Sequence, residues 1–181
     1  MRNTLVIAVI LCVRALSVDA QTLSEDQRIK LALSAGPASV TEGATIMEWE
    51  SRKVLRQGSN GYTCFPTLPG GQPYPMCVDE QWLKWLEALV SGEKPPVPSK
   101  VAIGYWLQGA PPMSNENPFA TPEETAKHVI APGEPHIAIL FPDPDVLKGL
   151  PTQPEQGGPW VMFNNTPYVH LMVPAPRPVA K

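Results

Sequence analysis

ATIMEWESRKVLRQGSNGYTCF, residues 44–65, decides the fold class. Ala44 to Glu50 reads as a strand. Lys53 to Gln57 reads as its hairpin partner across a turn at Glu50-Ser51-Arg52. Gly58-Ser59-Asn60-Gly61 is a second turn, and Tyr62 to Phe65 is a third short strand. Short β-prone runs separated by turn residues predict an antiparallel meander. A chain that opens its sheet this way does not alternate strand and helix. It belongs with α+β folds and not with doubly wound parallel sheets.

Helices flank this stretch on both sides. Ser24 to Ala35 reads as a helix, with Ser24 as cap, Gln27 completing a capping box, and Gly36-Pro37 as its stop. Pro66 to Met76 reads as a loop. Asp79 then caps the clearest helix in the chain, Glu80 to Ser91, which ends at Gly92. Trp82, Trp85, Leu86 and Leu89 fall on one face, and Glu80 and Lys84 pair on another. Two tryptophans at this spacing read as core and not as a carbohydrate platform.

Further on, Lys100 to Gln108 and His136 to Phe141 are strong strands. Gln108 to Pro135 shows no clear period apart from a short helix at Pro122 to His128, and a connection this long is often a lid or binding loop. Asp143 to Leu150 reads as a short helix. Pro159 to Phe163 and Tyr168 to Val173 form a hairpin over Asn164-Asn165-Thr166, and the tail from Pro174 frays. The expectation is an α+β fold: an antiparallel sheet of about six strands, two main helices packed on it, and a single disulfide.

The N-terminus sets the compartment. Met1 to Thr4 carries one positive charge, Leu5 to Val13 is apolar, and Val18-Asp19-Ala20 ends in a small residue. This is signal-peptide architecture, too short to span a bilayer. Arg14 interrupts the apolar region and blurs the cleavage position. Leu11 before Cys12 argues against a lipid anchor. Residues 1–20 are therefore read as a signal peptide and 21–181 as a single globular domain, soluble and periplasmic or secreted. Processing leaves two cysteines, Cys64 and Cys77, and export favours their oxidation to a disulfide bond. A loop of this size would stabilise the fold by about 3 kcal/mol.

Composition excludes some classes. Without Arg2, Arg14 and Asp19, the 14 basic and 17 acidic residues become 12 and 16, a net charge of −4. No basic patch stands out, which argues against a nucleic-acid partner. All 23 prolines lie beyond residue 20 and are spread between hydrophobic segments, as expected for short elements joined by stiff loops. No second apolar run reaches membrane length.

Common catalytic signatures are absent: no dinucleotide fingerprint, no phosphate loop, no His-Glu-x-x-His, no Gly-x-Ser-x-Gly. Side chains alternate faces along a strand. His136 opposes Ile137 and Ile139, while His170 and Met172 oppose Val169, Leu171 and Val173. If these strands are neighbours, His136 and His170 converge with Met162 or Met172. Imidazole with thioether is a soft ligand set suited to copper(I). The bland reading is hydrogen-bonded sheet histidines with gap-filling methionines. A hydrolase would use one histidine as base, with Ser114 as nucleophile and Asp143 or Asp145 as orienter. No spacing selects those residues, and no catalytic residue is assigned. The default reading is a non-catalytic binding or interaction domain of the cell envelope. Its partner would be another envelope component or a small ligand, with Trp106, Ser114, Asn115 and Phe119 as contact residues and no cofactor other than copper in view.

Several stretches carry a resemblance: Ser34-Ala35-Gly36-Pro37-Ala38-Ser39, Gly43-Ala44-Thr45-Ile46-Met47, Asn60-Gly61-Tyr62-Thr63-Cys64, Met76-Cys77, Gly104-Tyr105-Trp106-Leu107-Gln108-Gly109, Ser114-Asn115, Pro135-His136, Gly157-Gly158-Pro159-Trp160-Val161-Met162 and Thr166 to Pro174. In these the chain resembles a family of uncharacterised exported (periplasmic) proteins of Gram-negative bacteria. The resemblance implies a single-domain periplasmic protein and transfers no catalytic residue, substrate or cofactor.

Overall fold

The computed structural model describes residues 23–125, 130–131, 133–154 and 158–176. The signal-peptide segment 1–20, His128 and the last residues of the tail lie outside them. The fold is α+β, built on a mixed sheet of eight strands in the order β2-β1-β3-β4-β5-β8-β10-β9. These strands are β1 (Thr45–Met47), β2 (Val54–Arg56), β3 (Tyr62–Phe65), β4 (Met76–Asp79), β5 (Ala102–Trp106), β8 (His136–Leu140), β9 (Trp160–Met162) and β10 (His170–Pro174). A separate ribbon pairs β6 (Met113–Ser114) with β7 (Ile130–Ala131). Four helices accompany them: α1 (Glu25–Leu33), α2 (Ala38–Thr41), α3 (Glu80–Ser91) and α4 (Pro122–Thr125).

The meander expected at residues 44–65 is corrected at one junction. β1 and β2 form the antiparallel hairpin, but β3 pairs with β1 in parallel, Thr45 opposite Thr63 and Ile46 opposite Cys64. After β2 the chain crosses the start of β1 and lands on its other side. Gly58 permits the crossing: a Cβ there would stand 2.2 Å from the Ala44 carbonyl carbon. The amide of Ser59 donates to the Gly43 carbonyl at 2.9 Å and holds the crossover down. The other ladders of the large sheet are antiparallel.

Other differences are local. Met76 opens β4, a strand hidden in the sequence because only four residues separate Pro75 from the first helical residue, Glu80. The expected helix at Asp143–Leu150 is a 3₁₀ turn, Pro144–Leu147, with Asp143 accepting from the Asp145 amide. The helix expected at Pro122–His128 is α4, described to Thr125. Pro174 is not frayed. It pairs with His136, and Ala175 donates to the Pro135 carbonyl at 2.9 Å.

The two main helices pack on opposite faces of the sheet. α1 carries the expected capping box between Ser24 and Gln27. Its Ala32, with Ala35 just beyond it, packs with Ala44, Ile46, Cys64 and Cys77. Cys64 and Cys77 are direct register partners in β3 and β4, and they are joined as the disulfide. α3 covers the other face with Trp82, Trp85 and Leu86, over Phe65, Met76, Val78 and the inner side chains of β5, β8, β9 and β10. Gly92 ends α3 in the left-handed conformation (φ 71°).

Asp79 fixes where α3 sits. Its Oδ1 accepts from the amides of Gln81 and Trp82 at 2.9 and 3.0 Å, capping the helix. Its Oδ2 accepts from the Ile103 amide of β5 at 2.8 Å. Farther along, the Trp82 indole donates to the Ala102 carbonyl at 3.2 Å, and the Tyr168 hydroxyl donates to the Glu93 carbonyl at 2.7 Å. Asp79→Ala strips the acceptor from three backbone amides and is expected to cost roughly 2 kcal/mol. Asp79→Asn keeps one acceptor oxygen and is expected to cost less. Urea denaturation followed by circular dichroism reads both, and equal stabilities of wild type and Asp79→Ala would refute this role.

Candidate functional site

Between α3 and the inner face of β5, β8, β10 and β9 the side chains leave a cleft of about 580 Å³. Described residues between Gly109 and Gly133, among them Ala110, Met113, Ala120 and Ala131, roof it. That segment has a narrow neck: Ala110 donates to the Gly133 carbonyl at 3.1 Å. A Cβ on Gly109 (φ 86°) would meet the Gly133 carbonyl oxygen at 2.3 Å, and one on Gly133 would meet the Ala110 oxygen at 2.0 Å. Only glycines let the two backbones touch. Beyond the neck, Asn115 pins the roof. Its Oδ1 accepts from the Trp160 indole, its Nδ2 donates to the Thr152 carbonyl, and its own carbonyl accepts from the Phe163 amide, each at 2.8 Å.

The cleft walls are aromatic. Trp82, Trp85, Trp106 and Phe163 line it, with Met162 and Met172 on its floor. Trp106 lies back along its own strand over Gly104, where a Cβ would stand 2.5 Å from the indole. Phe163 holds φ at 54°, a conformation that costs a non-glycine residue on the order of 1 kcal/mol, and its ring packs 5.5 Å from His170.

Two histidines enter this apolar space, and both are built alike. Each is the first residue of its strand, and each bonds through Nδ1 to the carbonyl two residues earlier. For His136 the partner is Glu134 at 2.7 Å; for His170 it is Tyr168 at 2.9 Å. A carbonyl only accepts, so Nδ1 carries the proton and the neutral ring keeps a lone pair on Nε2. Among the described residues neither Nε2 has a hydrogen-bond partner. The two residues are 7 % and 4 % exposed, which leaves these nitrogens the cleft and little else.

Burial holds both rings neutral. It pushes the His136 imidazole below its usual value, opposed by the Glu134 hydrogen bond. It pushes His170 from 6.5 to about 4, opposed by the Tyr168 hydrogen bond and helped by charge on His136. Aromatic contact runs from one to the other. His136 stacks on Trp106 at 5.5 Å, Trp106 meets Trp82 at 5.6 Å, and Trp82 meets His170 at 5.3 Å.

The residues singled out from sequence divide in three. His136, His170, Met162 and Met172 all line the cleft. His170 lies directly across from Met162, with Met172 two residues on and on the same face. His136 is at the other end of the ladder, opposite Pro174 and so four residues from His170 in register, roughly 13 Å along the strand. Trp106, Ser114 and Asn115, expected as contact residues, are buried at 6 %, 1 % and 2 % exposure. Trp106 faces the cleft, and the Ser114 hydroxyl accepts from the amides of Glu116 and Asn117. Phe119 is exposed and packs edge-on to Tyr168. The Nδ1 partner of each histidine is a backbone carbonyl, so no carboxylate orients either ring; Asp143 and Asp145 serve their own turn and Lys148. Among the described residues there is no group of three or more His, Cys, Asp or Glu side chains able to hold a metal ion, and no helix is long and apolar enough to cross a membrane.

Sequence reasoning missed three parts of the site. Trp82 and Trp85 are core residues that also line the cleft. Phe163 lies just past a strand whose length the pattern overstates. Gly104 carried a readable signal, since a lone glycine inside a strand marks a close approach.

Comparison with protein-family models, with curated proteins and with solved structures finds no match to this chain.

The depressed histidine values make stability depend on pH. Above pH 6.5 the imidazoles are neutral in both folded and unfolded chains. As pH falls from 6.5 towards 4, the unfolded chain takes up protons that folded His170 refuses. Stability is therefore complete above 6.5 and is lost across that window, by on the order of 3 kcal/mol for His170 alone. Urea midpoints at pH 7 and pH 5 are expected to differ, lower at pH 5, and His170→Phe is expected to remove most of the difference. Identical wild-type midpoints would mean that the rings are solvated.

Proposed function

We propose that this is an exported, non-catalytic binding protein whose cleft takes a small, largely apolar molecule. One observation carries the reading: an aromatic-walled cleft of about 580 Å³ that holds two buried imidazoles with unshared lone pairs. A concave, mostly apolar site with few placed polar groups is the ordinary form of a small-molecule site. Three things favour binding over hydrolysis. Neither histidine is oriented by a carboxylate, Ser114 is engaged in its own turn, and burial makes His170 a weak base. Export is supported by the signal-like residues 1–20 and by the Cys64–Cys77 disulfide, and a periplasmic or secreted location is part of the proposal.

Nile red tests the cleft because it is neutral, apolar and has no hydrogen-bond donor. It is expected to bind the wild-type protein saturably, one dye per chain, with a blue-shifted emission. Ala138→Phe fills the cleft floor and is expected to weaken binding at least tenfold while leaving the circular dichroism spectrum unchanged. Failure of the dye to saturate would remove the reading.

A second reading has its own observation. His170, Met162 and Met172 share one face of β9 and β10, and the Tyr168 carbonyl fixes the His170 tautomer with Nε2 unprotonated. That is the hydrogen bond a ligating histidine needs, and the donor set suits copper(I). A bathocuproine competition titration would show one copper(I) bound, lost in Met162→Leu/Met172→Leu. Full retention of copper by that double variant would rule the reading out.

A further inference from the structure

We infer that the cleft selects neutral aromatic molecules bearing a hydroxyl or N–H donor, with His136 and His170 as the acceptors that select them. This rests on the reading of the cleft as a small-molecule site and narrows it to a ligand class.

The argument starts from the tautomer. Both Nδ1 atoms face backbone carbonyls, at 2.7 and 2.9 Å, and must donate. Each ring therefore offers the cleft an acceptor and no donor. A ligand that also only accepts, such as an ether or a ketone, leaves both lone pairs unmet. A ligand that donates satisfies one or both. A hydrogen bond from a matched donor to an acceptor on an apolar wall is worth roughly tenfold in affinity over a ligand that cannot make it.

Charge narrows the class further. No lysine or arginine is among the described residues that line the cleft, so among these residues a carboxylate or phosphate meets an apolar wall and no cation. Burial favours the uncharged imidazoles, which do not attract an anion. Fatty acids and acidic metabolites are thereby disfavoured. Sugars are disfavoured as well, because many hydroxyls would face few polar partners. Walls made of three indoles and a phenyl ring present faces and edges that suit another aromatic ring.

Position decides how many donors are useful. His136 and His170 begin antiparallel neighbouring strands, so they stand at opposite ends of the shared ladder. One small ring reaches one histidine. A longer molecule with a donor at each end reaches both.

Three probes of nearly one shape separate the cases by calorimetry at pH 7: 1-naphthol, 1-methoxynaphthalene and 1-naphthoate. The naphthol is expected to bind at least tenfold tighter than the methyl ether, with the naphthoate weakest. His136→Phe/His170→Phe keeps two aromatic rings and removes both acceptors. It is expected to bring the naphthol down to the level of the ether. Equal wild-type affinities for naphthol and ether overturn the acceptor inference while leaving the cleft reading in place. Tightest binding of the naphthoate overturns it too, since a cationic ring would then be reading the ligand. Failure of all three, together with failure of Nile red, overturns the inference and the cleft reading. The wild-type comparison alone decides the matter if the double variant does not fold.

Discussion

The carboxylate of Asp79 is the constraint on which the rest of the inner face depends. One side chain ends β4, starts α3 and holds β5 through three backbone amides. Because β4 runs into α3 with no loop between them, the helix cannot choose its direction freely. The Trp82 indole then reaches the Ala102 carbonyl, and Tyr168 ties the far end of the helix at Glu93. With both ends held, Trp82 and Trp85 must face the sheet. His170 is held between them, 5.3 Å from each ring. The cleft is what remains when a helix bearing rigid rings is fixed at this height over the sheet.

The two faces solve burial differently. Over α1 the contacts are small side chains and a disulfide, and backbones approach closely. Over α3 the contacts are indoles, phenyl rings and thioethers, arranged mainly edge to face. The described lining residues between Gly109 and Gly133 cover the space beside these rings and leave the cleft. Among the described residues the roof contributes only Ala131 to the core, with Ala110 packed against it. It is held by a glycine neck and by the three hydrogen bonds of Asn115.

How far the sequence could be read follows from where the signals are local. Ser24, Gln27, Asp79 and Gly92 mark helix ends through bonds to near neighbours, and those helices stand where the residues put them. Cys64 and Cys77 were legible as a pair once Cys12 was assigned to a signal peptide. Strand pairing was not, because the parallel step between β1 and β3 depends on Gly58 crossing a strand a dozen residues away in sequence. The site shows the same division. Alternation correctly placed His170 and Met172 on one face and His136 opposite Ile137 and Ile139. It could not say that this face is the inner one, since the opposing Ile137, Ile139, Leu171 and Val173 are more aliphatic yet only half-buried. The face is decided by α3, and no period within a strand reports which side a distant helix will take. Asn115 was noticed as polar loop surface. Its role is the reverse, and a buried asparagine among prolines gives no periodic sign of it.

The strongest functional argument in the molecule is a pair of imidazole acceptors that face the cleft. A leucine or phenylalanine at position 170 would pack among Trp82, Trp85 and Phe163 and leave no lone pair. The chain instead carries an imidazole there and a second at 136. In each case it uses the same carbonyl bond to settle which nitrogen holds the proton. Gap filling explains neither the residue type nor the repeated bond, because both add a polar atom to an apolar wall. Holding Phe163 in the left-handed region adds a cost beside the His170 ring. On the proposed reading, the ligand's character follows from the atoms that face the cleft: something flat and uncharged that brings its own proton.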